Sequence, residues 1–491
     1  MTEAGRLTRN VLYGASTHGT NFLVLLLFIL AARVLGDEDF GKFSYAFALV
    51  TAFMQLSLYS MHNRTIIDVA RDPSRVPRVF GNLLGMQLIA SALTIALVTA
   101  IGFLIDPRPE IRLLVFLLAV AMVSRGIKMA VRLLLKGLER FGVEAIVQLA
   151  GQGGLFAVCL FALLASGDLV LFTVVFAAAR LLDALLVHLW ALRGVGGVRP
   201  RFDWASWPPL LRAGILFAGV NAVRDVYFRI GTVALGLIRT DAEVGWYNAA
   251  TKLYDVTQEI PVVLAYALLP TLSAVAILPG DRLARLYRRG FRYLLAAGLP
   301  LTLYFFLTAP RLIGTIYGSE YGPAAGMLRL LALAVFPSFL VVFGAYVLMA
   351  LDRVRAVLVL SATTTAVACA LNPILIASHG GAGAAAALLL TQIFGALWMS
   401  ILIARAGQAP PRWGGLLPIL AAALPTAAVI RLLAERSVLL SAPTAAAVYV
   451  LFLLLLRVPD EQERGVIRSV LRVLLRRSPR GDSLDEKGPD G

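Results

Sequence analysis

The chain has 491 residues, of which 59% are hydrophobic and only 15% are charged, and its mean hydropathy is +0.81. Long segments are apolar on every face, which excludes a soluble globular protein. The alternating segments of a transmembrane barrel are absent, so the composition predicts an all-α polytopic membrane protein. The net charge of +16 lies in loops between apolar segments. The preference for positive charge on the cytoplasmic side explains that placement more simply than nucleic-acid binding does.

Apolar segments long enough to cross a bilayer recur along the whole chain. We predict about fourteen such spans, each near or somewhat above the ~20 residues needed. They lie at 11–35, 41–62, 78–105, 112–135, 144–166, 169–192, 210–238, 244–276, 291–313, 325–350, 356–377, 382–404, 415–434 and 438–456. With the N-terminus inside, most loop arginines and lysines fall on the inner side, which places both termini in the cytoplasm.

A short repeat links the two halves of the chain. The segment DFGKFSYA at 39–46 aligns with EVGWYNAA at 243–250, and each follows one span and opens the next. This spacing predicts two six-helix lobes, 1–200 and 201–405, related by a pseudo-two-fold axis along the membrane normal. Chance similarity between two helix-start turns is the alternative. Spans 13 and 14, within 406–457, lie outside the repeat, and 458–491 is predicted to be a cytoplasmic basic amphipathic tail with a disordered end.

Charged side chains inside the spans are the candidates for function, because ionisable groups in a membrane normally face a wet cavity or a partner. Span 4 has four cations on one side and no acid among them: Arg125, Lys128, Arg132 and Lys136. Such a stripe favours an anion such as a phosphate or an acidic sugar. The alternative is that these side chains extend to the inner interface, which suits Arg132 and Lys136. In span 6, Arg180 and Asp183 have the spacing of a pair on one helix, and we expect them to pair with each other.

The second half of the chain contains two further polar faces. Span 7 has an arc formed by Asn221, Arg224, Asp225 and Arg229. Span 8 has a stripe formed by Asn248, Lys252, Asp255 and Glu259. A short turn joins the two spans, so these faces can meet around a water-filled path. We predict substrate binding by the cations and amides, and ion coupling or charge pairing by the acids Asp225, Asp255 and Glu259. The alternative is a set of neutralising pairs that only hold helices together.

Two prolines, Pro261 and Pro270, lie within span 8. Proline inside a helix removes a hydrogen bond and bends the helix, so we predict a bent, gating segment beside the charged path. The sequence shows no P-loop, no nucleophile elbow and no metal-ligand spacing of histidine and cysteine, so we predict neither an enzyme nor a cofactor or metal site.

Several motifs together resemble one family. They are RNVLYGAS near the start, AARVLGDEDFGKFSYA at 31–46, VGWYNAATKLYD at 244–255, LLPTLS ending at Ser273, IYGSEYGPAAGMLRLL at 316–331 and HGGAGAAAA at 379–387. In order and spacing they resemble Wzx-type polysaccharide-biosynthesis flippases of the multidrug/oligosaccharidyl-lipid/polysaccharide exporter superfamily. The resemblance covers nearly the whole chain.

The resemblance implies that a lipid-linked oligosaccharide, usually on undecaprenyl diphosphate, is moved across the bacterial inner membrane by alternating access, with an H⁺ or Na⁺ gradient as the driving force. It also implies a role for cationic cavity positions, here Arg125, Arg224 and Lys252, and a polysaccharide polymerase as a possible partner beside the membrane lipids. The alternatives are an exporter of lipid-linked peptidoglycan precursor or small molecules, and a membrane polymerase or glycosyltransferase. The short outer loops disfavour the enzyme.

Overall fold

The computed structural model describes residues 3–54, 76–137, 141–195, 200–205, 207–276, 281–408, 416–456 and 458. Thirteen helices lie in these residues, and no strand is found among them. They are α1 (Glu3–Phe53), α2 (Val76–Ile105), α3 (Pro109–Gly137), α4 (Phe141–Ser166), α5 (Leu169–Val195), α6 (Trp207–Ile238), α7 (Asp241–Thr257), α8 (Glu259–Ala276), α9 (Arg282–Ile316), α10 (Ala324–Ala350), α11 (Val354–Arg405), α12 (Leu417–Ala434) and α13 (Val438–Leu455). A short 3₁₀ turn at Ser319–Tyr321 precedes α10.

Two helices each continue through a sharp kink at a glycine. In α1 the kink is at Gly36 (φ 80°, ψ 176°), and in α11 it is at Gly380 (φ 57°, ψ −136°). Both glycines have positive φ, a conformation that other residues adopt only with strain. A carboxylate stabilises the second kink, because Glu243 Oε2 accepts a hydrogen bond from the backbone N–H of Gly381 at 2.9 Å. Each kinked helix therefore provides two arms that correspond to two predicted spans.

Eight helices in the described part of the chain are long and apolar enough to cross a membrane by length and composition. Many apolar side chains on them are exposed, including Phe161 at 76% and Leu104 at 84%. Since apolar surface of this kind is stable against lipid but not against water, the chain is a multi-pass membrane protein. The total of about fourteen spans and the lobe boundaries stay predictions, and the predicted tail helix lies outside the described residues.

The chain divides into two compact units, Met1–Pro410 and Pro411–Gly491. In the first unit, α3 packs against α2 and α5, and α4 packs against α1 and α5. Later in the same unit, α10 packs against α9 and α11, and α11 packs against α6. Helix α1 also contacts α6 and α7, so it connects the earlier and the later helices of this unit. In the second unit, α12 and α13 pack against each other.

Candidate functional site

Helices α6 and α7 carry the charged side chains predicted for spans 7 and 8, with the exception of Glu259. Helix α7 begins at a capped turn, where Thr240 Oγ1 accepts from the backbone N–H of Glu243. Lys252 on α7 is half-buried, and its charge interacts with Asp255 one turn away and with Arg229 on α6. Arg229 on α6 therefore lies close enough to Lys252 for their charges to interact, and a water-filled path lined by the two faces stays a prediction.

An aromatic cluster supports the ammonium group of Lys252. The Nζ atom lies 5.0 Å from the centroid of the Phe28 ring, which is the geometry of a cation–π contact. Phe28 belongs to a connected group of five rings from α1 and α5: Phe28, Phe43, Phe47, Phe172 and Phe176. Because these rings are buried or nearly so, they form a rigid apolar surface beneath the ammonium group.

Arg125 on α3 is a cation from the first half of the chain that lies near the charged residues of α6. Its charge interacts with Asp225, Arg229 and Arg224, all on α6. The side chain is nonetheless exposed, and Arg224 is exposed as well. Because ionisable groups inside a membrane normally line a wet cavity, we interpret the region between α3 and α6 as an open polar space. The structure thus brings together Arg125, Arg224, Arg229 and Lys252.

Arg180 on α5 is a further cation that the sequence assigned to a different role. We expected it to pair with Asp183, and the charge of Asp183 does act on it, but the hydrogen bond that the Asp183 carboxylate accepts comes from Lys128 Nζ on α3 at 2.5 Å. The Arg180 guanidinium lies 5.2 Å from the centroid of the Phe176 ring, and its buried Nε has no hydrogen-bond partner among the described residues. Its charge interacts first with Asp183 and then with Arg125. Arg180 therefore lies between the buried Lys128–Asp183 pair and the cation Arg125.

Two cations of the span 4 stripe are neutralised by acids from neighbouring helices. Lys128 and Asp183 are each only 8% exposed, so their pair is buried. Arg132 Nε donates to Glu144 Oε1 on α4 at 2.8 Å. The prediction treated the stripe as a free anion site because no acid lies within it, but the structure supplies acids from α4 and α5. The side chain of Lys136 lies outside the described residues.

The four-residue stripe of span 8 does not lie on one helix. Asn248 is buried, and its side chain donates to the Val244 carbonyl and accepts from Thr232 Oγ1 on α6. It therefore joins α6 to α7 instead of facing an open path. Helix α7 ends at Thr257, so Glu259 is the first residue of α8, where it is exposed. The prediction was wrong on this continuity, because periodicity alone does not reveal a break between helices.

The break itself lies where the prolines predicted a bend. Gln258 separates α7 from α8, and its Nε2 donates to Ser338 Oγ on α10 at 3.0 Å. Pro261 is in the first turn of α8, where its missing N–H costs no helix hydrogen bond, and Pro270 lies further along the same helix. The side chains of Pro270 and of Asn221 on α6 lie outside the described residues. A gating role for the two prolines stays a prediction.

At the opposite end of α7, charged groups connect the two halves of the chain. Arg108, in the loop between α2 and α3, donates to Asp241 at the start of α7 at 2.7 Å and to Asp106 at 2.7 Å. Trp246 Nε1 on α7 donates to Asp37 Oδ2 on α1 at 2.7 Å. Burial acts to raise the pKa of Asp106, but hydrogen bonds and charge from Arg108 outweigh it and hold that pKa below its usual value. The sequence did not reveal the Arg108–Asp241 and Trp246–Asp37 contacts, because the partners are 133 and 209 residues apart in the chain.

The described residues contain no group of three or more histidine, cysteine, aspartate or glutamate side chains that could hold a metal ion. What the geometry does offer is a set of cations on α3, α5, α6 and α7, accompanied by the acids Asp225 and Asp255. Such a set can bind an anion with several oxygens through charge-assisted hydrogen bonds.

Comparison with known proteins identifies the family. The profile of the family described as "Polysaccharide biosynthesis protein" matches residues 7–276, which is more than half of the chain. The chain belongs to the polysaccharide biosynthesis protein family. A curated relative from Escherichia coli (strain K12), named "Putative O-antigen transporter", is 20% identical over 331 residues, which cover 66% of this chain and 79% of the relative.

Solved structures share the fold of this polysaccharide biosynthesis family member. The lipid II flippase MurJ in an inward closed conformation has a TM-score of 0.74 at 13% identity, covering 90% of this chain and 98% of its own. An inward-facing multidrug resistance transporter of the MATE family has a TM-score of 0.61 at 15% identity, covering 79% and 95%. These likenesses confirm the all-helical fold that the sequence predicted. The relatives are named as transporters and a flippase, not as enzymes.

Proposed function

We propose that this protein moves a lipid-linked oligosaccharide across the bacterial cytoplasmic membrane by alternating access. The substrate class we infer is a glycan joined to a polyprenol through a diphosphate. One observation carries the proposal: cations from the first half of the chain, Arg125 and Arg180, belong to one charged network with Arg224, Arg229 and Lys252 from the second half. Cations outnumber acids there, as an anionic substrate requires, whereas an exporter of cationic drugs would need the opposite balance.

The position of these cations suits a transporter because neither half of the chain holds the complete set. A diphosphate bound between α3 and α6 would draw the two halves together, so its binding energy could drive a conformational change. Without substrate, Asp225 and Asp255 offset part of the positive charge. We infer that these acids, with Glu259, respond to a coupling proton or sodium ion, and that both termini lie in the cytoplasm.

Genetic deletion tests the substrate class. Deleting the gene should abolish the surface glycan while lipid-linked repeat units accumulate on the cytoplasmic side of the membrane. If the glycan persists and no second flippase is present, the proposal fails. A strain depleted of its own peptidoglycan-precursor flippase gives the complementary result: rescue of that strain, with no effect on surface glycan, would support the peptidoglycan alternative.

Single substitutions test the site. Arg125→Ala, Arg224→Ala and Lys252→Ala should each reduce glycan export by at least about tenfold at unchanged protein level, since one charge-assisted hydrogen bond contributes roughly 1.5–3 kcal/mol. The matched control is Arg285→Ala, which removes an exposed arginine at the start of α9. Unchanged export in all three site variants would show that these charges serve structure alone.

A further inference from the structure

A second basic site lies at the two ends of α11, far along the chain from the cations of the transport site. Because α11 folds back at Gly380, its first and last turns lie side by side and enclose a groove of about 490 Å³. The groove, which we call the α11 end groove, is lined by Arg355, Val359, Trp398, Ile401, Leu402 and Arg405 together with one alanine. None of the site cations on α3, α5, α6 or α7 contributes to it.

The charge of the α11 end groove is positive and is not neutralised from within. Arg355 and Arg405 are both exposed, and no acid is among the lining residues. By contrast, Arg108 and Arg132 each have an acidic partner in the described part of the chain. Two guanidinium groups at opposite sides of one groove present several donors suited to the oxygens of a phosphate.

The remaining lining is apolar and faces outward. Val359 and Ile401 are 54% and 52% exposed, and Trp398 packs edge-on against Phe394 with ring centroids 5.5 Å apart. Trp398 precedes Arg405 by two helical turns, which is roughly 10 Å along the axis. Tryptophan at headgroup depth with arginine closer to water is the arrangement found at membrane interfaces. The groove therefore offers a polar end for a headgroup and an apolar wall for a chain.

We propose that the α11 end groove binds an anionic phospholipid. Its phosphate would lie between Arg355 and Arg405, and one acyl chain would run along Val359 and Ile401. Basic pockets between transmembrane helices commonly recognise such headgroups. Charge complementarity favours this ligand over a zwitterionic lipid, whose headgroup brings a cation toward the two arginines. This inference does not depend on which substrate the transport site carries.

Lipid retention by the purified full-length protein tests the proposal. The protein is delipidated in detergent and then supplied with phosphatidylglycerol or phosphatidylcholine that have the same acyl chains, and bound lipid is counted by native mass spectrometry. The wild type should bind phosphatidylglycerol at least about tenfold more tightly, and the Arg355→Gln/Arg405→Gln double variant should lose that preference.

The control variant is Arg353→Gln, which removes an exposed arginine at the same end of α11 that does not line the groove. It should retain the preference. Arg355→Lys keeps the charge but not the planar set of donors, so it should bind phosphatidylglycerol with intermediate affinity. This variant also tests the proposal if the double variant fails to fold. Equal retention of both lipids, an unaffected double variant, or an equal loss in the Arg353 control would each overturn the proposal.

Discussion

Gly41 and Gly245 touch where α1 crosses α7, and each lies directly against the backbone of the other helix. A methyl group on Gly41 would overlap the carbonyl oxygen of Asp241, and one on Gly245 would overlap the carbonyl oxygen of Asp37. The two glycines are separated in sequence by the same interval as the two aspartates. Two symmetry-related copies of one segment would make this reciprocal contact, as expected if DFGKFSYA and EVGWYNAA are such copies. The symmetry of the complete lobes stays a prediction.

Alanine at either glycine should separate the two helices. Because the obstructing atoms are backbone carbonyl oxygens, no side-chain movement can relieve the overlap. We expect Gly41→Ala and Gly245→Ala each to lower the stability by about 1–3 kcal/mol, the usual cost of overpacking. Thermal denaturation in detergent measures the loss. Gly154→Ala on α4 is the control, since its new methyl group meets nothing within 4 Å and should be neutral or slightly stabilising. A similar loss in all three variants would contradict the explanation.

Removing one partner of the Lys128–Asp183 pair should destabilise the protein. Both side chains are buried, so Lys128→Met leaves the Asp183 carboxylate without its hydrogen-bonded cation, and only the charge of Arg180 still acts on it. We expect a loss of about 3–5 kcal/mol, seen as a lower melting temperature and reduced protein level in the membrane. Adding Asp183→Leu to Lys128→Met should recover most of the stability, because the buried charge is then absent.

Arg180→Gln provides the contrasting case. This side chain has a buried nitrogen without a hydrogen-bond partner among the described residues, and its charge interacts with Asp183 and with Arg125. It should therefore lose export while the melting temperature changes little. If Arg180→Gln unfolds the protein and Lys128→Met does not, the assignment of one residue to the site and the other to structure is reversed.

Lys128 and Arg180 also show which parts of the site can be predicted from the sequence and which cannot. Periodicity predicts that Arg125, Arg224, Arg229 and Lys252 lie on polar faces, and the short turn after α6 allows the faces of α6 and α7 to meet. Helical spacing also makes Arg180 and Asp183 neighbours, but it contains no information about an adjacent helix. Lys128 reaches Asp183 because α3 packs against α5, and that packing is a property of the tertiary structure alone.

The same reason accounts for Asn248 and Glu259. An amide inside a span can face water, or it can bond to a neighbouring hydroxyl group, and only the position of Thr232 on α6 decides between them. The aligned spacing that placed Glu259 on the stripe assumed an unbroken helix. By contrast, the apolar spans and the proline-associated bend depend on local composition and chain geometry, so they could be predicted.

Stability should depend on pH through Asp106. Its pKa is lowered in the folded protein, so the carboxylate stabilises the fold above the unfolded value of about 3.9, and this contribution disappears as the pH falls through the lower folded value. The melting temperature of the wild type should exceed that of Asp106→Asn by a constant amount from neutral pH to about 5, and the difference should shrink below about 4.

The source of this pH dependence is the Arg108 guanidinium, which bonds to Asp106. At neutral pH, the melting temperature should be higher with Asp106 than with the Asp106→Asn substitution. Arg108→Gln should reduce this difference. The measurement is the same melting series with both variants and their combination. An Asp106 contribution that grows as the solution becomes more acidic would have the wrong sign and would refute the assignment.

Pro261→Ala should join α7 to α8 and impair transport without loss of fold. Alanine supplies the N–H that could bond to the Thr257 carbonyl, and it removes the ring that obstructs that carbonyl, so a continuous helix becomes possible across Gln258. If the break serves as a hinge beside Lys252 and Asp255, glycan export should fall severalfold while the melting temperature stays equal or rises. Pro425→Ala, inside α12 of the second compact unit, is the matched control and should leave export unchanged. Normal export by Pro261→Ala at wild-type protein level would mean that the bend between α7 and α8 only shapes the site and does not move during transport.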